Sequence, residues 1–240
     1  DHLIIGGGVA GYMAAETIRS RDAQASVLVI GSEPYALYSR VLLPHVVRGD
    51  KPEATVFLKP SGYYEGKAID VRTGVRVAAV DPAKAEVRLG DPGSWPGAGS
   101  SVLSYGSLLI ATGGSVRRLT CPGADEAGIL YFQTLDDARA LRSAMQGRAV
   151  VIGGGLIALE LLMSFAKHGV LATAVLRGDG FFSRVLDEEG KKMVRAAVEA
   201  AGVDVRTSVE VRGIERTGEE RTVHFSDGSR LACQAVGAGI

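Results

Sequence analysis

The stretch LIIGGGVAG, residues 3–11, decides the fold of this chain. Three apolar residues, typical of a short buried strand, run directly into a turn of three glycines. Residues 12–19 follow with apolar side chains at helical spacing, and VLVI at residues 27–30 predicts a second buried strand. A strand, a glycine turn, a helix and a second strand within about thirty residues make up one βαβ unit.

The glycines of this turn follow the spacing GxGxxG, with Gly6, Gly8 and Gly11 at the three positions. The first permits the tight turn, the second lets backbone approach a pyrophosphate, and the third lets the helix pack closely on the strand. The helix N-terminus then offers free N–H groups to a diphosphate. Glu33 lies 22 residues after Gly11, near the spacing of about 20 for a ribose-binding acid. A purely structural glycine turn is the alternative, but the surrounding pattern favours a dinucleotide site.

The same pattern recurs 147 residues later in VVIGGGLIA, residues 150–158. Here Gly153, Gly155 and Ala158 take the fingerprint positions, and alanine is an accepted third member. A helix predicted over residues 159–168 follows the turn. Two fingerprints in one chain predict an α/β protein with two doubly wound units in tandem.

The second unit lacks the acid that the first one has. Its second strand, predicted over residues 171–176, ends at Leu176 and Arg177 with no carboxylate at the ribose position. An arginine there suits the 2′-phosphate of NADP, and Arg184 is nearby. Alternatively, Arg177 is a solvated loop residue, so the sequence leaves both NADH and NADPH open.

Composition excludes several other classes of protein. The chain has 240 residues, with 27 Lys and Arg against 27 Asp and Glu, so charge gives no reason to expect nucleic acid as a partner. Its apolar runs are shorter than the roughly 18 residues that span a bilayer, so no membrane span is expected. The two cysteines form no CxxC motif and no metal-ligand cluster with the four histidines, which favours a reducing cytoplasm and no metal site. The sequence starts almost inside a predicted strand and stops without a closing helix or polar tail, so we expect it to be part of a longer protein.

Other segments give coarser predictions. Residues 34–67 read as irregular or helical, and residues 91–97 read as a loop because of their Gly and Pro. Thr134 is placed to cap a helix that runs to about Met145. Further elements are predicted as strands at residues 71–80, 86–89, 108–111 and 203–205, and as a helix at residues 187–201.

Three motifs carry a resemblance to a known family. These are YGSLLIATG at residues 105–113 with Pro122-Gly123, VIGGGLIALE at residues 151–160, and YSRVLL at residues 38–43. Together they resemble the FAD-dependent pyridine nucleotide-disulfide oxidoreductase superfamily. The third motif is typical of rubredoxin and ferredoxin reductases and of the flavin part of the nitrite reductase large subunit.

The resemblance implies two Rossmann-like domains of glutathione-reductase type, an FAD-binding domain at residues 1–117 and an NAD(P)-binding domain at residues 118–240. It also implies that the first domain is discontinuous and incomplete in this chain. Glu160 is implied to point toward the flavin–nicotinamide contact, and His45 stands where ferredoxin-reductase relatives have a lysine that pairs with that glutamate. An ordinary loop histidine is the alternative for His45. The residues implied to hold FAD are Gly6, Gly8, Gly11, Glu33, Arg40, Ala111, Thr112 and Gly113, and those implied to hold NADH or NADPH are Gly153, Gly155, Ala158 and Arg177.

The resemblance further implies an FAD-dependent NAD(P)H oxidoreductase that passes hydride from nicotinamide to flavin. Disulfide reductases of the family place a redox cysteine where this chain has Val41, so thiol chemistry is not expected. The expected acceptor is an electron-carrier protein, rubredoxin- or ferredoxin-like, or a reductase partner subunit. A thiol-independent NAD(P)H oxidase and a non-catalytic nucleotide-binding scaffold subunit remain the alternatives.

Overall fold

The computed structural model describes residues 1–90 and 102–240, so the loop predicted at residues 91–97 lies outside the described residues. The chain forms two compact units. The first comprises Asp1–Ser39 and Ala54–Ser115, and the second comprises Arg40–Glu53 and Val116–Ile240. The second unit therefore includes residues 40–53, which fall within the FAD-binding domain that the resemblance implies at residues 1–117.

The first unit is built on a parallel sheet in the order β3-β2-β1-β7. Ile5 lies opposite both Ile30 and Ile110, so three neighbouring strands end level at the carboxyl edge. An antiparallel sheet in the order β4-β5-β6 completes the unit. Its elements are β1 (His2–Ile5), α1 (Val9–Arg21), β2 (Val27–Ile30), β3 (Asp70–Arg72), β4 (Val77–Asp81), β5 (Glu86–Leu89), β6 (Val102–Ser104) and β7 (Ser107–Ile110).

The single strand predicted over residues 71–80 is wrong. Gly74 has a left-handed backbone, with φ +70°, and its N–H donates to the carbonyl of Glu33. The chain turns there because this conformation is open to glycine at little cost. Residues on the two sides consequently join different sheets, the parallel one through β3 and the antiparallel one through β4.

The second unit repeats the parallel arrangement in the order β10-β9-β8-β14, with a separate antiparallel sheet β11-β12-β13. Ile152 lies opposite both Val175 and Ala238, which corresponds to the level strand ends of the first unit. Its elements are α2 (Leu43–Val47), α3 (Leu135–Ser143), β8 (Arg148–Ile152), α4 (Leu156–Lys167), β9 (Leu171–Val175), α5 (Glu188–Ala200), β10 (Asp204–Arg206), β11 (Val211–Thr217), β12 (Glu220–Phe225), β13 (Arg230–Cys233) and β14 (Ala235–Ala238).

The central strands of both parallel sheets are apolar and largely buried. Residues 149–152 of β8 are all buried, and Leu161 and Phe165 of α4 pack with no exposed area. In the first unit, Tyr12 of α1 packs in the core cluster that contains Ile4. Strands buried on both faces read as continuous hydrophobic runs, which is why the sequence revealed them. Among the described residues, no helix is long and apolar enough to cross a membrane.

Candidate nucleotide-binding sites

The first glycine turn is fixed by backbone that leaves no room for side chains at two of its positions. Gly6 has φ +131°, and a Cβ there would lie 2.1 Å from the carbonyl oxygen of Ala111. A Cβ at Gly11 would lie 2.0 Å from the carbonyl oxygen of Gly6. At Gly8, by contrast, a Cβ would meet none of the described atoms within 4 Å. The turn is therefore closed at its base and open at the position where backbone must approach a phosphate.

The second turn has the same construction. Gly153 has φ +125°, and a Cβ there would lie 2.3 Å from the carbonyl oxygen of Gly239, while the space around Gly155 is open within the described structure. The fully buried Ala158 fits as third member because its neighbour Gly239 carries no side chain: a Cβ on Gly239 would lie 2.5 Å from the amide nitrogen of Ala158. The two fingerprints are thus equivalent in their backbone.

The helices that follow the turns have uncapped N-termini. α1 begins after Gly8 and α4 after Gly155, with no side-chain cap and no acidic residue in the first turn of either. The other two long helices differ: Thr134 forms a capping box at α3, and Asp187 caps α5. Uncapped N–H groups with a positive dipole end favour an anionic ligand. Both turns therefore fit a dinucleotide diphosphate.

The surroundings of the first turn include several residues predicted to hold FAD. Glu33 is half-buried three residues beyond β2, and the Tyr38 hydroxyl donates to its carboxylate. The amide of Ala111 donates to the carbonyl of Ile5 at 2.7 Å, which places residue 111 against Gly6, with Thr112 exposed beside it. The next residue along, Gly113, is also exposed and has φ +68°.

Arg40 lies in the second unit rather than the first. Its Nη1 donates to the carbonyl oxygen of Gln133 at 2.5 Å. The role beside FAD that the family resemblance implies for Arg40 remains a proposal.

Glu160 belongs to a charged network of the second unit. Its Oε2 accepts from Nη1 of Arg48 at 2.6 Å, and Nε of the same arginine donates to Asp50 at 3.1 Å. Burial acts to lower the pKa of Arg48, but the hydrogen bonds to Glu160 and Asp50 raise it above its ordinary value. The hydrogen bond from Arg48 lowers the pKa of Asp50. Lys167 also contacts Asp50, with Nζ at 3.6 Å.

The structure pairs Glu160 with Arg48 rather than with His45, since Nη1 of Arg48 donates to Oε2 of Glu160. Nδ1 of His45 lies 3.5 Å from Asp50 instead. Sequence reasoning missed Arg48, although it stands three residues after His45 and so on the same side of a helical turn. The longer arginine reaches across to α4, whereas the histidine stays at the end of α2.

Both cysteines of the chain, Cys121 and Cys233, lie outside any disulfide bond. Cys233 is fully buried, and desolvation raises its pKa to about 11. Desolvation also raises the pKa of Cys121. Val41, at the position of a redox cysteine in disulfide reductases, is 83% exposed. No cluster of potential metal ligands exists within residues 1–90 and 102–240.

A family model described as pyridine nucleotide-disulphide oxidoreductase matches residues 1–240. The chain belongs to this family. It is 34% identical over 236 residues to the ferredoxin–NAD(+) reductase component of the biphenyl dioxygenase system of Paraburkholderia xenovorans (strain LB400), covering 97% of this chain and 56% of that protein. It is 27% identical to the rubredoxin–NAD(+) reductase of Pseudomonas putida, covering 99% of this chain and 61% of the relative.

Solved structures agree with the fold. The crystal structure of the covalent putidaredoxin reductase–putidaredoxin complex matches with a TM-score of 0.89 at 27% identity, over 100% of this chain and 58% of that one. The ferredoxin reductase for the CYP199A2 system from Rhodopseudomonas palustris matches with a TM-score of 0.87 at 25% identity, over 100% and 58%. The chain thus spans somewhat more than half the length of these relatives, and it has the α/β architecture of the part of the solved structures that it covers.

Proposed function

We propose that this chain is the nucleotide-binding part of an FAD-dependent NAD(P)H oxidoreductase that reduces an electron-carrier protein. One observation carries the proposal: two glycine turns of equal backbone construction, each opening an uncapped helix at the carboxyl edge of a parallel sheet. Two such turns in one chain match the need for two dinucleotides. Family membership supports the same conclusion.

The first unit is proposed to hold FAD. Gly8 and the first N–H groups of α1 bind the diphosphate, and Glu33 accepts from the adenosine ribose hydroxyls. Tyr38 orients this carboxylate through its hydroxyl hydrogen bond. The exposed backbone of residues 112–113 lies beyond the end of β7 and contributes further contacts. The assignment of residues 1–117 as the FAD-binding domain rests on these groups, and the part played by Arg40 is proposed from the family resemblance alone.

The second unit, within residues 118–240, is proposed to hold the nicotinamide nucleotide. Gly155 and the first turn of α4 bind its diphosphate, while Ala158 keeps the helix close to β8. Hydride transfer is the chemistry that a bound nicotinamide and flavin supply. Glu160 sits one turn into α4, where the hydrogen bond from Arg48 fixes the direction of its carboxylate. We assign Arg48 as a positioning residue for Glu160. His45 lies beside Asp50, and we assign it a smaller part in positioning Glu160.

An external electron carrier is the proposed acceptor, rubredoxin- or ferredoxin-like. Disulfide exchange needs an accessible thiolate, whereas Cys233 is buried with a raised pKa and Val41 replaces the redox cysteine. Relatives of this chain are named for ferredoxin and rubredoxin. We also infer a reducing, cytoplasmic setting, which the two free cysteines favour. Fractionation of cells that contain the protein would test this localisation. Recovery of the protein in the fraction of an oxidising compartment would contradict it.

The deciding experiment is an absorbance spectrum of the purified chain incubated with FAD, before and after anaerobic NADH or NADPH. We expect protein-bound flavin whose visible absorbance bleaches, followed by reoxidation when a ferredoxin or rubredoxin is added. Reoxidation by oxygen alone would favour the NAD(P)H oxidase instead. Bound nucleotide without bleaching would contradict the oxidoreductase and support the scaffold subunit.

A further inference from the structure

The two units differ in the three residues that follow the second strand of each, which are Gly31, Ser32 and Glu33 in the first unit and Leu176, Arg177 and Gly178 in the second. The strands share one register, with Ile5 opposite Ile30 in the first unit and Ile152 opposite Val175 in the second. The chain beyond β2 leads to the carboxylate of Glu33. The chain beyond β9 starts instead with a leucine side chain that cannot accept a hydrogen bond from a ribose hydroxyl.

Leu176 fills the space directly after β9, where the first unit has Gly31. It is only 2% exposed, and a Cβ on Gly154 would lie 3.0 Å from its Cδ2, so it packs directly beneath the glycine turn. NAD-binding units use an acid after the second strand to bind the 2′-hydroxyl of the ribose. The second site has no acid directly after β9, so it lacks the group that favours NAD over NADP.

The nearest carboxylates are engaged elsewhere. Oδ2 of Asp179 accepts from Nζ of Lys191 at 2.7 Å. Asp187 accepts from the amide of Gly190 at 2.9 Å as the cap of α5. Residues 176–187 contain no other carboxylate. The loop after β9 therefore offers no unengaged acid to replace the missing one.

The same loop carries two arginines at the edge of the glycine turn. The amide of Phe182 donates to the carbonyl of Gly154 at 2.8 Å, so the loop folds back onto the turn. A Cβ on Gly178 would lie 2.9 Å from Oγ of Ser183, so the loop closes on itself there. Arg177 and Arg184 immediately flank this closure. Both are exposed, and neither forms a hydrogen bond or ion pair with the part of the chain that the structure describes.

We propose that the second site selects NADPH over NADH, with Arg177 and Arg184 binding the 2′-phosphate. This inference rests on the proposed function of the second unit and adds the choice of cosubstrate. Guanidinium groups suit phosphate because of their planar set of donors. The choice differs from that of the relatives named for NAD(+).

The test is calorimetric titration of the full chain with NADP⁺, NAD⁺ and 2′,5′-ADP, which reads binding without any flavin turnover. We expect the wild-type chain to bind NADP⁺ at least tenfold more tightly than NAD⁺. Arg177→Ala should weaken NADP⁺ and 2′,5′-ADP roughly tenfold to a hundredfold and leave NAD⁺ unchanged, since a hydrogen bond to a charged group is worth about that much. Arg177→Lys should retain part of the affinity, and Arg184→Ala should lose less.

Arg142→Ala serves as the matched control, because this exposed arginine lies on α3 of the same unit. It should change none of the three affinities. Tighter binding of NAD⁺ than NADP⁺ would overturn the inference and leave the proposed function standing. Equal weakening of NAD⁺ and NADP⁺ by Arg177→Ala would also overturn it, since the arginine would then bind the shared diphosphate. Failure of all three probes to bind would overturn both proposals.

Discussion

Substitution of the middle fingerprint glycine by alanine separates ligand binding from folding. Gly8 has φ −92° and ψ −178°, an extended conformation that alanine adopts without strain, and its Cβ would meet none of the described atoms within 4 Å. Gly8→Ala should therefore leave the free energy of unfolding within about 0.5 kcal/mol of wild type or raise it slightly. The added methyl occupies the space through which we propose the FAD diphosphate approaches.

The expected loss of FAD affinity follows from the contacts that the methyl displaces. One or two hydrogen bonds between backbone N–H groups and a charged phosphate are worth about 1.5–3 kcal/mol each. The dissociation constant should therefore rise at least about tenfold. The assay is quenching of flavin fluorescence on titration with protein, paired with urea unfolding of each variant.

Two further variants calibrate the result. Gly155→Ala makes the same change in the second turn, with φ −97° and equally open surroundings, and should weaken NAD(P)⁺ while sparing FAD. Gly6→Ala places a Cβ 2.1 Å from the Ala111 carbonyl at φ +131°, and should destabilise folding by several kcal/mol, since strained backbone alone costs of the order of 1–3. Unchanged FAD affinity in Gly8→Ala, at wild-type stability, would refute the reasoning.

Three other predictions concern side chains. Arg48→Ala should slow flavin reduction by NAD(P)H in stopped-flow measurements because Glu160 loses its partner. Arg48→Lys should recover part of the rate, and His45→Ala should change the rate little. A larger loss of rate in His45→Ala than in Arg48→Ala would contradict the assignment. Because the pKa of Asp50 is lowered in the folded protein, its contribution to stability is present above the unfolded value of 3.8 and is lost as pH falls through the folded value. Asp50→Asn should therefore flatten the dependence of unfolding free energy on pH in that acidic range, and an unchanged curve would count against the network. Cys233, with a pKa near 11, should resist iodoacetamide at neutral pH until the protein is unfolded, as mass spectrometry would show; rapid labelling would disprove its burial.

Much of the fold followed from local sequence. The runs at residues 3–5 and 150–152 could be recognised as buried strands because both faces of a parallel sheet are covered. The predicted starts of α1 and α4 were each three residues late, because the helices begin immediately after Gly8 and Gly155. Thr134 was correctly predicted as a cap, since its side chain and that of Asp137 form a local pattern of four residues.

The antiparallel sheet β11-β12-β13 was not predicted. Its strands mix charged and apolar residues, so none of them is a continuous hydrophobic run. They are defined by their pairing with one another, which joins separate segments of the chain. β11 contains Arg212 and Glu215 at exposed positions, so hydrophobicity alone gives a weak signal.

In the candidate site too, features set by neighbouring residues could be predicted, whereas contacts between residues far apart in the sequence could not. Glycine positions could be predicted because the GxGxxG spacing reflects backbone geometry. The partner of Glu160 could not, because the contact with Arg48 joins residues 112 positions apart and depends on side-chain length. Packing of Leu176 beneath Gly154 is likewise visible only once β9 is placed beside the turn.

The most direct test of two separate nucleotide sites is calorimetric titration of NADP⁺ into the chain already saturated with FAD. We predict one NADP⁺ bound per chain, with an affinity that FAD does not reduce and that Gly155→Ala abolishes or weakens at least tenfold. Displacement of FAD by NADP⁺, or a loss of NADP⁺ binding in Gly8→Ala equal to that in Gly155→Ala, would mean that one site serves both nucleotides and would contradict the assignment.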